Sequence, residues 1–219
     1  HKPTLPATLD PEVDLEGIYA QPSERERRKA PRFPTGLLKV PGFIGMVIEY
    51  TLSTAYKPQP ILALGAAIAL QDTLAGRPTA GESGTRTNLY ILAMAGSGCG
   101  KERPREVNDE ILTHAGLEHY IAPEEIASDT GIISALASCP VQLFQGDEIG
   151  MMLKQIAGTK SDHLKAIPSL FMKLYSKSNG IYRGKAYADP DKRKVIENPC
   201  LTIFGTSIPD NVFDGLTID

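Results

Sequence analysis

Residues 88–101 read NLYILAMAGSGCGK, and the predicted fold is built outward from them. The apolar run 89–95 leads directly into a glycine-rich segment, and apolar residues then recur at helical spacing as far as Leu112. This order predicts a buried strand, a glycine loop and a helix. Glycines let backbone N–H groups turn inward, and the helix start adds unpaired donors and the positive end of its dipole. The segment is therefore predicted to bind phosphate, with Lys101 reaching the terminal phosphates.

Two positions depart from the common phosphate-loop pattern G-x-x-x-x-G-K-[ST]. Ala95 stands in place of the first glycine, and Glu102 stands where a hydroxyl normally binds Mg²⁺. A carboxylate at 102 repels phosphate unless a metal lies between them or the side chain points away. The alternative is a glycine-rich turn that binds nothing. The predicted phosphate contacts are Gly96, Ser97, Gly98, Cys99, Gly100, Lys101 and Glu102.

A second predicted strand, residues 141–145, ends in Gly146 followed by Asp147 and Glu148. One predicted helix lies before it, 131–138 with Ser128 as its N-cap, so we expect the 89–95 and 141–145 strands to lie side by side. Asp147 and Glu148 are then candidate metal ligands, with Asp147 holding Mg²⁺ through water and Glu148 orienting or deprotonating the attacking water. The alternative is a polar turn before a helix at 149–156.

A third predicted strand, residues 200–204, is followed by Gly205, Thr206 and Ser207. A hydroxyl at this strand end can sense the terminal phosphate or position water. Thr206 is the first candidate and Ser207 the second, although hydroxyls at strand ends are also common caps. A further helix is expected from residue 210 to 216.

Residues 173–194 combine basic side chains with interleaved tyrosines. Such a segment can neutralise phosphates and stack bases, so we predict nucleic-acid contacts there. A solvated loop is the alternative. The candidate residues are Arg183, Lys185, Lys192 and Arg193.

The chain divides into three predicted parts. Residues 1–35 are rich in proline and charge and are predicted to form an extended or disordered arm. Residues 36–80 are predicted to be helical, with Pro60 in the first turn of a second, almost wholly apolar helix, 61–74, and to form a lid or collar. Residues 81–219 are the predicted nucleotide domain, which lacks a final strand at its C-terminus. Because the chain starts with His1, we expect it to be part of a longer protein.

Composition limits the class of protein. The 219 residues carry a net charge of −3, so affinity for nucleic acid requires a local basic patch. Three widely spaced cysteines favour free thiols in a reducing compartment. The most apolar run, 61–70, is too short to span a bilayer. These features predict no membrane association and a cytoplasmic location.

Three segments together resemble a known family: NLYILAMAGSGCGKERPR (88–105), IASDTGIISALASCPVQLFQGDEIG (126–150) and ENPCLTIFGTSIPDNVF (197–213). They look like the RecA/AAA-type ATPase domain of phage- and plasmid-borne primase–helicase-like replication proteins. PGFIGMVIEY (41–50) and PQPILALGAAIAL (58–70) resemble the helical segment ahead of that domain.

The resemblance implies an α/β P-loop NTPase fold, a three-layer sandwich with a mainly parallel sheet preceded by a small helical module. It implies ATP and Mg²⁺ as cofactors and hydrolysis coupled to unwinding or translocation of single-stranded or forked DNA by a homo-oligomeric, hexameric ring. Lys101, Glu148 and Thr206 correspond to its catalytic groups and Asp147 to its metal ligand. The basic segment corresponds to a DNA-facing loop. No arginine finger is assigned, although Arg105 and Arg183 are candidates. The resemblance also implies a bacterial or phage-infected cell.

Two other classes stay open. The first is an ATP-binding switch or assembly module with little or no hydrolysis that does not act on nucleic acid, which Glu102 favours. The second is a structural interaction domain whose phosphate loop has decayed, for which Ala95 and Glu102 are the evidence.

Overall fold

The computed structural model describes residues 33–215, so the predicted arm lies outside this range except for residues 33–35. Within the range described, seven α-helices and five strands follow one another. The helices are α1 (Phe43–Thr54), α2 (Pro60–Ala75), α3 (Arg103–His114), α4 (Asp129–Ser138), α5 (Ile149–Gly158), α6 (Asp162–Ser176) and α7 (Pro209–Gly215). The strands are β1 (Tyr90–Met94), β2 (Val141–Phe144), β3 (Ile181–Tyr182), β4 (Ile196–Glu197) and β5 (Cys200–Ser207).

The main sheet has three parallel strands in the order β1–β5–β2. Leu92 lies opposite Gly205, and Leu143 lies opposite Thr202. The prediction that the glycine-loop strand and the acidic strand are neighbours is wrong, because β5 lies between them. All eight residues of β5 are buried, whereas β1 is partly exposed. The central position in the sheet is therefore occupied by β5, the strand that is covered on both faces.

Helices cover both faces of this sheet. Successive strand residues point to opposite faces. Leu143 and Phe204 join one hydrophobic cluster with α1, α2 and α3, and their neighbours Phe144 and Ile203 join another with α4 and α6. The protein is thus an α/β fold with a parallel sheet between two helical layers.

The predicted lid or collar, α1 and α2, is part of this core. Helix α2 packs directly on the sheet, where a Cβ at Gly65 would lie 3.3 Å from the Phe204 ring. Ala63, Ala67 and Leu70 of the same helix are wholly buried. Small side chains allow this close approach, so α2 covers the sheet directly and α1 joins the same hydrophobic cluster.

Asp72 joins α2 to two strands. Its Oδ2 accepts hydrogen bonds from the Leu89 amide (2.7 Å) and the Thr202 hydroxyl (2.6 Å), and the residue is 3% exposed. Burial raises the pKa of the Asp72 carboxyl, although these hydrogen bonds oppose the shift. The Asp72 carboxyl therefore fixes the position of the chain where β1 begins. Strand β1 then leads into the glycine loop.

The predicted N-cap of α4 is confirmed, whereas helix α6 was not predicted. The Ser128 hydroxyl accepts from the Gly131 amide at 3.1 Å, which is the predicted cap of α4. Helix α6 contains Pro168, a residue that usually breaks or kinks a helix. Its buried stripe, Ile167, Leu170 and Leu174, holds it against the sheet despite the proline.

Strands β3 and β4 form a short antiparallel hairpin that leads into the first residue of β5. The Asn198 amide donates to the Gly180 carbonyl at 2.7 Å and closes the base of the hairpin. Because β5 runs away from this base, the hairpin enters the sheet at the edge opposite the strands' carboxyl ends. In the part of the chain that the structure covers, no helix is long and apolar enough to cross a membrane.

Candidate functional site

The candidate site lies at the carboxyl ends of the three parallel strands. The glycine loop follows β1, the acidic pair follows β2, and Thr206 and Ser207 end β5. Two backbone hydrogen bonds join these strand ends, from the Ala95 amide to the Ser207 carbonyl (3.0 Å) and from the Thr206 amide to the Gly146 carbonyl (2.9 Å). In open α/β sheets this edge is where ligands bind.

Lys101 crosses from the glycine loop to the acidic pair. Its side chain is 4% exposed, and its Nζ donates to Glu148 Oε1 at 2.7 Å. The Lys101 ammonium and the Glu148 carboxylate are therefore in direct contact, although β1 and β2 are not neighbouring strands.

Glu148 is held by three further donors. Its Oε2 accepts from the Ser207 hydroxyl (3.1 Å), the Asn211 amide group (3.1 Å) and the Ile208 backbone N–H (3.4 Å). Burial raises the pKa of Glu148, but the hydrogen bonds from Lys101, Asn211, Ile208 and Ser207 outweigh it and lower the pKa to about 2. Glu148 also has left-handed backbone angles, φ 45° and ψ 45°, immediately before α5. The carboxylate is thus ionised, oriented and paired with a cation.

Asp147 lies beside it with different partners. Its Oδ1 accepts from the Thr206 hydroxyl at 3.1 Å and from the Glu148 amide at 3.0 Å. Arg105 places Nη2 3.2 Å from the same oxygen. Arg105 therefore pairs with an acid of its own chain, which is not the geometry of a residue extended toward a neighbouring subunit. Asp147 remains 54% exposed.

The glycine loop is shaped by two residues with positive φ, Gly98 (+65°) and Gly100 (+80°). The connection between α1 and α2 packs against it, and Lys57 Nζ donates to the Gly98 carbonyl at 2.8 Å. Gly96, Ser97 and Gly98 are exposed, so this part of the loop is accessible to a ligand.

Glu102 lies away from the Lys101–Glu148 pair. It is exposed and lines a cavity on the outer flank of the loop together with Gly98 and Gly100. The Glu102 carboxylate therefore lies away from the buried lysine, which avoids the repulsion expected between this carboxylate and a phosphate bound there.

The donor set fits Mg²⁺ only as a partner of phosphate. Among residues 33–215 no group of three or more His, Cys, Asp or Glu side chains could hold a metal by itself. Mg²⁺ is usually bound by one or two carboxylates together with substrate phosphates and water. The half-exposed Asp147, with the Thr206 hydroxyl beside it, matches that requirement. A metal there would compete with Arg105 for the same oxygen.

The predicted nucleic-acid residues have partners other than the site residues. Lys185 forms an ion pair with the buried Asp129, whose Oδ1 is also 3.8 Å from His163 Nδ1. Arg193 Nε donates to the Arg183 carbonyl at 2.8 Å. The four candidates, Arg183, Lys185, Lys192 and Arg193, are all exposed and lie between β3 and β4.

Sequence reasoning missed three residues that shape the site. Asn211 reaches Glu148 from α7, Arg105 reaches Asp147 from α3, and Lys57 reaches the glycine loop from the α1–α2 connection. Arg105 was noted only as a candidate finger, and nothing in the local sequence marks the other two. Their contacts arise from tertiary packing.

The two positive-φ glycines give a matched pair of stability predictions. A Cβ at Gly100 would meet the Lys57 carbonyl oxygen at 2.5 Å, whereas at Gly98 it would meet nothing within 4 Å. Each alanine substitution costs about 1–2 kcal/mol of backbone strain. We expect Gly100→Ala to lose about 1–3 kcal/mol more from crowding. Urea denaturation measures both, and equal losses would contradict the close contact.

The lowered pKa of Glu148 predicts a pH-dependent contribution to stability. The folded value, about 2, lies below the ordinary value of 4.5. The contribution is thus complete above pH 4.5 and is lost as pH falls toward 2. We expect the difference in unfolding free energy between wild type and Glu148→Gln to be constant near neutral pH and to decline in favour of the variant below pH 4.5. Denaturation at several pH values tests this, and a pH-independent difference contradicts it.

Comparison with known proteins identifies no relative. No family model matches the chain, and no match exists among the curated proteins or the solved structures that were searched. What the site can do follows from its own groups. It places a buried ammonium, an oriented carboxylate, a half-exposed carboxylate and a hydroxyl around one edge of the sheet, beside a glycine loop.

Proposed function

We propose that this chain is a P-loop NTPase domain, built as a three-layer sandwich, that binds ATP with Mg²⁺ and hydrolyses it. The observation that carries the proposal is the meeting of Lys101 and Glu148 at 2.7 Å, with Asp147 and Thr206 beside them. An ammonium beside a glycine loop suits terminal phosphates, and adjacent acids suit a metal and a water.

The geometry supports a definite division of roles. Lys101 would neutralise the terminal phosphates, and Asp147 with Thr206 would hold Mg²⁺, which would supply further neutralisation of phosphate charge. Phosphate competes with Glu148 for the Lys101 ammonium. Once the ammonium turns to phosphate, Glu148 loses its cationic partner and its proton affinity rises. The carboxylate then accepts a hydrogen bond from a water, which it holds for attack.

Nucleic acid and self-association complete the proposal. The basic segment between β3 and β4 is exposed and would contact phosphates of single-stranded or forked DNA. It connects covalently to β5, whose other end carries Thr206. ATP hydrolysis would in this way drive unwinding or translocation, with the chain acting in a homo-oligomeric, hexameric ring of a replicative helicase-like protein.

A second function is favoured by the pairing of both acids. Glu148 is bound by Lys101 and Asp147 by Arg105, so each acid is already neutralised by a cation. If these pairs persist when nucleotide binds, neither acid is available for metal or water. The chain would then be an ATP-binding switch or assembly module with little or no hydrolysis.

One experiment separates these functions. ATP binding is measured by calorimetry, and steady-state hydrolysis is measured with and without single-stranded DNA at one fixed salt concentration. Hydrolysis that DNA stimulates is expected for the motor. Tight binding without turnover selects the switch. Absence of binding contradicts both and leaves an interaction domain with a decayed phosphate loop.

A further inference from the structure

The outer flank of the glycine loop carries a cavity that the site described above does not use. It has a volume of about 450 Å³, within the range of roughly 300–1,000 Å³ that is usual for ligand sites. Thr54, Tyr56 and Lys57 line it from the α1–α2 connection, and Gly98, Gly100 and Arg103 line it from the loop and the start of α3.

The cavity and the acidic pair lie on different flanks of one loop. Lys101 is buried and directed to Glu148, whereas Gly98, Gly100 and Glu102 of the same loop border the cavity. A nucleotide whose terminal phosphates lie at Lys101 would follow the loop outward. Its ribose and base would then enter this cavity.

Tyr56 is the residue in the cavity best suited to a base. It is 96% exposed, the most exposed large hydrophobic side chain among residues 33–213. Its neighbour Lys57 is anchored to the Gly98 carbonyl, and the Lys57 backbone touches the loop at Gly100. The backbone that carries this aromatic ring is therefore held beside the phosphate loop. Aromatic faces stack nucleobases regardless of sequence.

Arg103 forms a fixed wall of the same cavity. Its guanidinium donates to both carboxylate oxygens of Glu110 (2.7 and 3.1 Å) and to the Thr54 hydroxyl (2.9 Å). These bonds hold the guanidinium in place, and such groups also stack on bases. Glu102 and Glu106 border the cavity with exposed carboxylates, which accept hydrogen bonds from an exocyclic amino group.

We propose that this cavity is the base and ribose subsite of the nucleotide site and that Tyr56 stacks on the base. The inference rests on the proposed function, because it assumes phosphates at Lys101. It also names Tyr56 as a base-binding residue, which the sequence alone did not reveal. Through Tyr56 the chain would distinguish a nucleotide from a polyphosphate that has no base.

The test compares two ligands on the full chain. Binding of Mg²⁺–ATP and of Mg²⁺–tripolyphosphate, which has no base, is measured by calorimetry for wild type, Tyr56→Ala and Tyr56→Phe. We expect Tyr56→Ala to bind ATP about tenfold more weakly, as base–aromatic stacking predicts, and to bind tripolyphosphate as wild type does. Tyr56→Phe keeps the ring and should bind both ligands within about twofold of wild type. Because Tyr56 is exposed, neither change removes buried contacts.

The outcomes distinguish this inference from the proposed function. If Tyr56→Ala binds ATP as tightly as wild type, the subsite is wrong while the phosphate site stands. The same holds if wild type binds tripolyphosphate as tightly as ATP. An equal loss for both ligands means that Tyr56 acts through loop structure, which also overturns the stacking role. If wild type binds neither ligand, the proposed function fails and the subsite fails with it.

Discussion

Lys101→Ala is expected to lower kcat/KM for ATP hydrolysis by about 10²–10³-fold, as the loss of a preorganised electrostatic donor typically does. The side chain is 4% exposed, and residues 96–100 of the loop carry no other cationic side chain. The neighbouring Lys57 ammonium is bound to the Gly98 carbonyl, so it does not replace the one that is removed. Steady-state hydrolysis and ATP calorimetry measure the loss.

The matched control is Lys165→Ala. Lys165 is an exposed lysine on α6, so its removal changes net charge equally without touching the site. Circular dichroism and urea denaturation establish that both variants fold. Hydrolysis in Lys101→Ala at the level of the control would show that the terminal phosphates lie elsewhere.

Glu148→Gln is expected to lower the rate of hydrolysis by on the order of 10²-fold while ATP binding is retained or tightened. The amide keeps the shape of the side chain but has much weaker affinity for a proton. It also binds the Lys101 ammonium less strongly than a carboxylate does, which leaves the lysine freer for phosphate. Single-turnover hydrolysis and calorimetry on the same variant separate the two effects.

Glu118→Gln serves as the control, since Glu118 is exposed on a short turn outside the site. A fall in both binding and hydrolysis in Glu148→Gln would indicate that the carboxylate holds the loop together. Unchanged hydrolysis would contradict its role in holding water and would leave the binding switch as the function.

The elements of the fold follow largely from local pattern. Ser128 caps α4 as predicted, and Pro60 begins α2 at its first turn. The order of strands did not follow, because all three are short apolar runs and nothing local specifies which pairs with which. Complete burial of β5 selects its central position, and burial is a property of the whole packed chain. Helix α6 was not predicted, and it forms around Pro168 because its buried apolar residues pack in the core.

The candidate site, too, could be predicted from the sequence only in part. The meeting of Lys101 with the acidic pair could be predicted, because parallel strands present their carboxyl ends at one edge. The partners of those groups could not. Asn211 and Arg105 come from helices whose orientation depends on packing. Glu148 has left-handed backbone angles although it is not a glycine, so the sequence does not predict them.

The central strand has a mechanical consequence. Eight residues of β5 extend over roughly 26 Å, at about 3.3 Å per residue, and pair with β2 over residues 200–203 and with β1 over residues 203–207. One tip carries the hydroxyls of Thr206 and Ser207, and the other joins the basic hairpin through Asn198 and Pro199. Backbone hydrogen bonds to these two neighbours hold the strand extended along its whole length. We therefore expect an axial displacement at the end that carries Thr206 to be passed along β5 to the hairpin.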